Sequence, residues 1–185
     1  MILRGIVQGV GFRPTVYRVA RALDVNGYVK NLGSEVEVVM DGDPDEFLER
    51  LNDELPPLAE ITEVEVEEHL VENEGFEIVR SSEGERTSTI PVDTALCSSC
   101  LQEMMDPDDR RYGYPFTNCT DCGARYSAIY TLPYDREKTT MADFPMCEGC
   151  LEEYEVPGDR RFHAQTTSCP DCGPEYTLYD RDKDE

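Results

Sequence analysis

The chain has 185 residues, a formal net charge of -23 and 39% hydrophobic residues. That length suits one or two compact domains with modest cores; no apolar run approaches the roughly 18 residues of a membrane span, and Met1 to Arg13 lack the basic-then-apolar layout of a secretory leader. Acidic side chains outnumber basic ones 40 to 17, in both halves alike, which argues against the basic patch a nucleic-acid interface needs and predicts a soluble, cytoplasmic protein.

Residues 2–7 read as a short strand. Gln8-Gly9-Val10-Gly11-Phe12-Arg13 follows. Its two glycines free the backbone to curl, and curled N–H groups can cradle an anion. Pro14 stands in the first turn of a helix, over which Val16, Val19, Ala20 and Leu23 recur at helical spacing. The loop therefore joins a strand to a helix N-terminus with an arginine at the joint. That setting suits a phosphate, which a guanidinium fork, backbone donors and the helix dipole all favour. A hairpin over 27–32 and 36–40 turns at Gly33-Ser34. A helix over 43–55 has Asp43 as its cap, Pro44 at its first position and Phe47, Leu48, Leu51 and Leu55 on one face. Residues 61–66 alternate imperfectly through Ile61, Val64 and Val66, and 76–79 form a last short strand. Through residue 66 the order is read as βαββαβ, the split-βαβ or ferredoxin-like arrangement of an α+β domain, with 76–79 as one further strand.

No cysteine precedes position 97. All eight then fall in Cys-x-x-Cys pairs: Cys97/Cys100, Cys119/Cys122, Cys147/Cys150 and Cys169/Cys172. Cys97 and Cys147 differ by 50 positions, as do the other three cysteines of each set. Glu103 and Glu153, Asp109-Arg110-Arg111 and Asp159-Arg160-Arg161, and Tyr126 and Tyr176 keep the same offset. A fixed offset without gaps is a duplicated module. Each copy reads Cys-x2-Cys-x18-Cys-x2-Cys, the pattern of a four-thiolate zinc site with a closed, structural coordination shell. A module so short has little core of its own, so the metal is expected to be a condition of folding. Disulfides are disfavoured without a leader; iron is a second ion that four thiolates hold. Site 1 is read as Cys97, Cys100, Cys119 and Cys122, and site 2 as Cys147, Cys150, Cys169 and Cys172, so that each copy is complete; the nested alternative joins the first pair to the fourth. Gly123 and Gly173 are expected to take positive φ. The Asp-Arg-Arg triplets are expected to form internal ion pairs near each knuckle. His163, whose counterpart is Gly113, is surplus as a ligand. The predicted division is a domain over 1–85, a linker over 86–92, and finger modules over 93–135 and 143–178.

Val7-Gln8-Gly9-Val10-Gly11-Phe12-Arg13, followed by Gly27-Tyr28-Val29-Lys30-Asn31-Leu32, resembles the signature of acylphosphatases. The resemblance implies that Arg13 and the loop from Gln8 to Arg13 bind phosphate and that Asn31 orients the attacking water. Leu32-Gly33-Ser34-Glu35 stands where that family usually has an Asp-Gly turn. Such a domain ahead of two four-cysteine modules is similar to the N-terminal region of the HypF-type carbamoyltransferases of nickel–iron hydrogenase maturation. Arg110-Arg111-Tyr112, Tyr114-Pro115-Phe116, Pro133-Tyr134-Asp135-Arg136 and Arg160-Arg161-Phe162-His163-Ala164-Gln165 extend the likeness over 1–178. It implies two structural zinc ions and hydrolysis of carbamoyl phosphate to carbamate and phosphate. It further implies ATP-dependent carbamoyl-adenylate formation and transfer to the C-terminal cysteine of a HypE-type protein. ATP would be used only in downstream adenylation and transfer domains, which a chain closing at Asp184-Glu185 is not expected to contain. Read so, the chain is an acylphosphatase-type hydrolase; a stand-alone acylphosphatase and a non-catalytic zinc scaffold are the alternatives.

Overall fold

A computed structural model describes residues 1–68, 70–71, 73–84, 93–123 and 125–179. The predicted linker over 86–92, position 85 and the closing Asp184-Glu185 lie outside these residues. The first part runs β1 (Ile2–Ile6), α1 (Phe12–Ala22), β2 (Gly27–Leu32), β3 (Glu35–Met40), α2 (Pro44–Asp53), β4 (Glu60–Glu65) and β5 (Phe76–Ile78). The sheet order is β4-β1-β3-β2-β5. β3 lies between β1 and β2 and is antiparallel to both, so the α1 crossover joins two parallel strands split by a third. β1 likewise separates β3 from β4, and β5 adds a parallel edge beside β2. This is the ferredoxin-like fold.

Local chemistry explains the elements that carry the site. The β2–β3 hairpin pairs Leu32 with Glu35, leaving a two-residue turn at Gly33-Ser34 with Gly33 at φ 59°. Asp43 caps α2 by accepting the N–H groups of Asp45 and Glu46, with Pro44 opening the helix. Leu3, Val29, Val36 and Val38 of the sheet meet Val16 and Val19 of α1 and Phe47 and Leu51 of α2, all fully buried. Each such side chain contributes about 1.5–3 kcal/mol. Together they give this part a core of its own. The imperfect alternation of β4 has a physical reason: it is an edge strand whose Val64 is exposed.

The cysteine-rich part is built from two short helices, α3 (Ser98–Met105) and α4 (Glu148–Glu155), and three 3-10 turns. Cys97 and Cys147 are the N-caps of these helices. Three residues on, Cys100 and Cys150 lie on the same face and are buried. Gly123 takes φ 71°, as its place after a cysteine turn predicts. Gly173 does not adopt positive φ; it is needed for space, because a Cβ there would lie 1.9 Å from the Tyr114 hydroxyl oxygen. Among the described residues, no helix is long and apolar enough to cross a membrane.

Candidate functional site

The β1–α1 loop ends at Gly11, the N-cap of α1, which sits at φ 76°. Glycine is required there for space as well, since a Cβ would lie 2.8 Å from that of Thr120. Val10 and Phe12 carry their side chains into the core and anchor the loop. The first turn of α1 leaves N–H groups without helical partners, and Arg13 stands in that turn. Its guanidinium is buried and held by three groups. Nη1 donates to Ser81 Oγ at 3.2 Å, and Nη2 donates to the Tyr134 carbonyl at 3.0 Å and to Asp135 Oδ1 at 3.0 Å. Asn31 on β2 is 1% exposed. Its Nδ2 reaches the same Tyr134 carbonyl at 3.5 Å, while its Oδ1 is buried with no hydrogen-bond partner among the described residues. Gln8 donates to the carbonyls of Gly33 and Glu35 and accepts the Tyr134 N–H at 3.0 Å. Gln8, Arg13 and Asn31 thus converge on one segment of the cysteine-rich part.

A cavity of about 30 Å³ lies against the loop, room for about two water molecules. Gln8, Gly9, Gly11 and Arg13 line one side; Thr120, Tyr134, His163 and Gln165 line the other. Asn31 does not line it. A larger pocket of about 260 Å³ lies beyond, lined by Arg13, Ser81, Asp135, Arg136, His163 and Gln165.

Tyr134, Asp135 and His163 are members of this site that the sequence reading missed. The repeat carried a signal for His163. It occupies the left-handed region at φ 56°, where its counterpart Gly113 sits at φ 66°. Both amides close equivalent turns, His163 onto the Tyr154 carbonyl and Gly113 onto that of Met104. A non-glycine residue held there is strained by roughly 1 kcal/mol or more, so the imidazole is retained at a cost. Its ring packs edge-on to Phe162 and tilted against Tyr154. Burial, reinforced by the Arg13 charge and opposed by Asp135, pushes its pKa down from 6.5 to about 4. The unfolded chain therefore binds the extra proton between pH 6.5 and 4. Acidification across that window is expected to remove up to about 3 kcal/mol of stability. Urea midpoints against pH check this: His163→Gly, which restores the sister residue, should lose that component, and an unchanged slope would refute it.

The eight cysteines form two groups, Cys97/Cys100/Cys119/Cys122 and Cys147/Cys150/Cys169/Cys172, with all sulfurs of a group within 4.8 Å of one another. In the first group Sγ–Sγ separations are 3.6 Å for Cys97–Cys119 and 3.9 Å for both Cys119–Cys122 and Cys100–Cys122. In the second they are 3.7 Å for Cys147–Cys169, Cys169–Cys172 and Cys150–Cys172. A tetrahedron with metal–sulfur bonds of about 2.3 Å has edges of about 3.8 Å, so the donor sets fit a four-thiolate ion. All eight cysteines are free of disulfides.

The Asp-Arg-Arg triplets do not make ion pairs within their own knuckles. They cross over. Arg110 of the first copy donates to Cys150 Sγ at 3.0 Å and Cys147 Sγ at 3.4 Å, and Arg111 binds Glu153 through both Nη atoms at 2.9 and 2.5 Å. Arg160 of the second copy donates to Cys119, Cys100 and Cys97 at 3.2, 3.5 and 3.8 Å, and both Arg160 and Arg161 bind Glu103. Asp109 and Asp159 instead accept the backbone N–H of Arg111 and Arg161 at 2.7 Å, fixing the turn that aims each pair outward. Burial disfavours ionised Glu103 and Glu153, and the arginines outweigh it, holding both carboxyls below the usual range.

Comparison with known proteins agrees with the fold and with the two cysteine groups. The acylphosphatase family matches residues 1–78, and the HypF finger family matches 96–129 and 146–179. Over 142 residues, 73% of this chain, the sequence is 49% identical to the probable carbamoyltransferase HypF of Methanocaldococcus jannaschii, covering 18% of that protein. Over 79 residues, 40% of this chain, it is 48% identical to an acylphosphatase of Thermococcus kodakarensis, covering 87% of it. A crystal structure of full-length HypF in a phosphate- and nucleotide-bound form superposes with a TM-score of 0.85 and 44% identity, over 97% of this chain and 25% of that one. The chain therefore spans 18–25% of the length of these two carbamoyltransferases.

Proposed function

This chain belongs to the HypF carbamoyltransferase family, of which it spans the acylphosphatase and finger region, and from that premise we propose that it hydrolyses carbamoyl phosphate to carbamate and phosphate. The observation that carries the reading is the convergence of a buried arginine and a buried, half-unpartnered asparagine beside the loop that opens α1. Arg13 and the amides of the loop hold the phosphoryl oxygens and stabilise the charge that builds on them. Asn31 Oδ1 accepts a hydrogen from the attacking water and aims its lone pair at phosphorus. The new phosphorus–oxygen bond forms as the bond to the carbamate oxygen breaks. Carbamate leaves with the electron pair, and the water's proton passes to solvent. An acyl phosphate is already activated, so positioning and charge are sufficient. In the whole carbamoyltransferase, carbamate passes on to ATP-dependent adenylation and to transfer onto the C-terminal cysteine of a HypE-type partner.

Zinc is the ion proposed for both cysteine sites, held by Cys97, Cys100, Cys119 and Cys122 and by Cys147, Cys150, Cys169 and Cys172. When bound, four thiolates leave it no open position, so it cross-links the fold and takes no part in the reaction. The test is phosphate release from carbamoyl phosphate by the full chain and by Arg13→Ala. A fall in kcat/KM of about 10²–10³-fold is expected, the usual effect of removing one preorganised donor from a developing charge. Equal rates would remove Arg13 from the mechanism and leave a scaffold.

A further inference from the structure

We propose that Asp135 is a positioning residue of the acyl-phosphate site, supplied by the finger region to set the guanidinium of Arg13. The inference rests on the reading of Arg13 as the phosphate ligand. Three observations carry it. First, the ion pair is built into the interior: Arg13 Nη2 and Asp135 Oδ1 lie 3.0 Å apart with side chains only 9% and 21% exposed. A buried guanidinium requires such a partner. Second, the partner stands on the outer side of the arginine. Ser81 and Asp135 line the larger outer pocket and not the loop cavity, whereas Arg13, His163 and Gln165 line both and so form the partition between them. Asp135 therefore does not fill the space against the loop. Third, Ser81 holds Nη1, while Asp135 and the Tyr134 carbonyl share Nη2. The guanidinium has five N–H donors in a fixed plane, so anchoring both terminal nitrogens fixes where the remaining donors point.

The neighbouring residues make the anchor rigid. Tyr134 is tied to the sheet domain through Gln8 Oε1 and through Arg13 itself. On the other flank, Arg136 donates to the carbonyls of Gln165 and Thr167 at 2.9 and 2.8 Å and to that of Phe144. Asp135 is thus pinned on both sides by the finger region. An acylphosphatase domain without that region lacks this carboxylate, so the site is completed by both halves of the chain.

The experiment uses the full, metal-loaded chain and compares Asp135→Ala and Asp135→Asn with wild type and Arg13→Ala. The readouts are phosphate release from carbamoyl phosphate, Kd for inorganic phosphate by calorimetry, metal content and Tm. Asp135→Ala should raise KM and the phosphate Kd together by about 10-fold, the effect of losing one charged hydrogen bond, with kcat changed far less and metal content intact. Asp135→Asn, which keeps an oxygen acceptor, should fall between; it carries the test if the alanine variant loses metal or melts early. Unchanged KM and Kd would overturn the proposal. So would a lower KM, which would make Asp135 an obstruction rather than an anchor. If Arg13→Ala itself hydrolyses at the wild-type rate, it is the assignment of the phosphate ligand that has failed.

Discussion

Chelating the metal from both cysteine sites is expected to unfold residues 93–178 while the sheet domain keeps its structure. The two parts differ in what holds them together. The first has an aliphatic and aromatic cluster from Leu3 to Phe76 that needs no ligand. Apart from cysteines, the buried side chains of the second are largely polar, with Arg111, Thr117, Asn118, Arg161, Thr167 and Ser168 among them. Burial of such groups contributes little without their hydrogen bonds, and those bonds hang on the knuckles. Structural zinc in finger peptides is worth about 10–16 kcal/mol per site, more than the net stability of most domains. Hydrogen exchange read by mass spectrometry checks the result. Amides of α3 and α4 should lose protection on chelation and regain it when zinc returns, while those of β2 and β3 stay protected. Because Tyr134 and Asp135 go with the fingers, phosphate release should fall in the same titration. Simultaneous loss of protection in both parts would show a single cooperative unit, with the loop packing of Gly11 on Thr120 as strong as the sheet core.

The loop, the helix start and the cysteine sets were legible because each is local. Glycines, an arginine and a proline within seven positions specify a tight loop at a helix N-terminus, and a Cys-x-x-Cys pair specifies its own turn. The repeat was legible because a constant offset needs no structure to detect. What the sequence did not reveal is where distant segments meet. Arg13 and Asp135 are separated by 122 positions, and nothing in Pro133-Tyr134-Asp135-Arg136 indicates which cation the aspartate faces. The partners of the arginine triplets were hidden for a related reason. Spacing places Arg110 beside its own knuckle in the chain, but the interlocked packing of the two copies turns it toward the partner's sulfurs. The substitution of His163 for the sister glycine was visible as a break in the repeat. Only the fold shows that the break faces Arg13.

That interlock leads to the most specific expectation for the metal sites. Replacing Arg160 with methionine should weaken site 1, formed by the first copy, by about 10–100-fold, the usual effect of removing a hydrogen-bond donor to metal-ligating atoms, and leave site 2 nearly unchanged. Arg110→Met should do the reverse. The reason is electrostatic. Four thiolates and one divalent ion leave each cluster at a net charge of about -2, on a chain that already carries -23. Each cluster must be neutralised locally, and apart from Arg125, whose Nη2 lies 3.5 Å from Cys122 Sγ in site 1, the arginines that donate to the sulfurs come from the other copy. Arg160 Nη1 lies within 3.2–3.8 Å of three sulfurs of site 1, and Arg110 Nη2 within 3.0–3.4 Å of two sulfurs of site 2. The more buried pair, Arg161–Glu103 and Arg111–Glu153, should act differently. Breaking either leaves a carboxylate in the interface without its main partner, at a cost of about 3–5 kcal/mol, and so should loosen both sites at once. Chelator competition followed by thiol labelling and peptide mapping separates the cases, because it reports which four cysteines become reactive. If Arg160→Met exposes the cysteines of site 2 first, or if each copy responds only to its own arginine, the crossed arrangement does not operate in solution. If the labelling crosses as expected, neither module holds its ion at full strength without the other, which gives the duplication a physical function: each copy supplies the charge that the other's metal site needs.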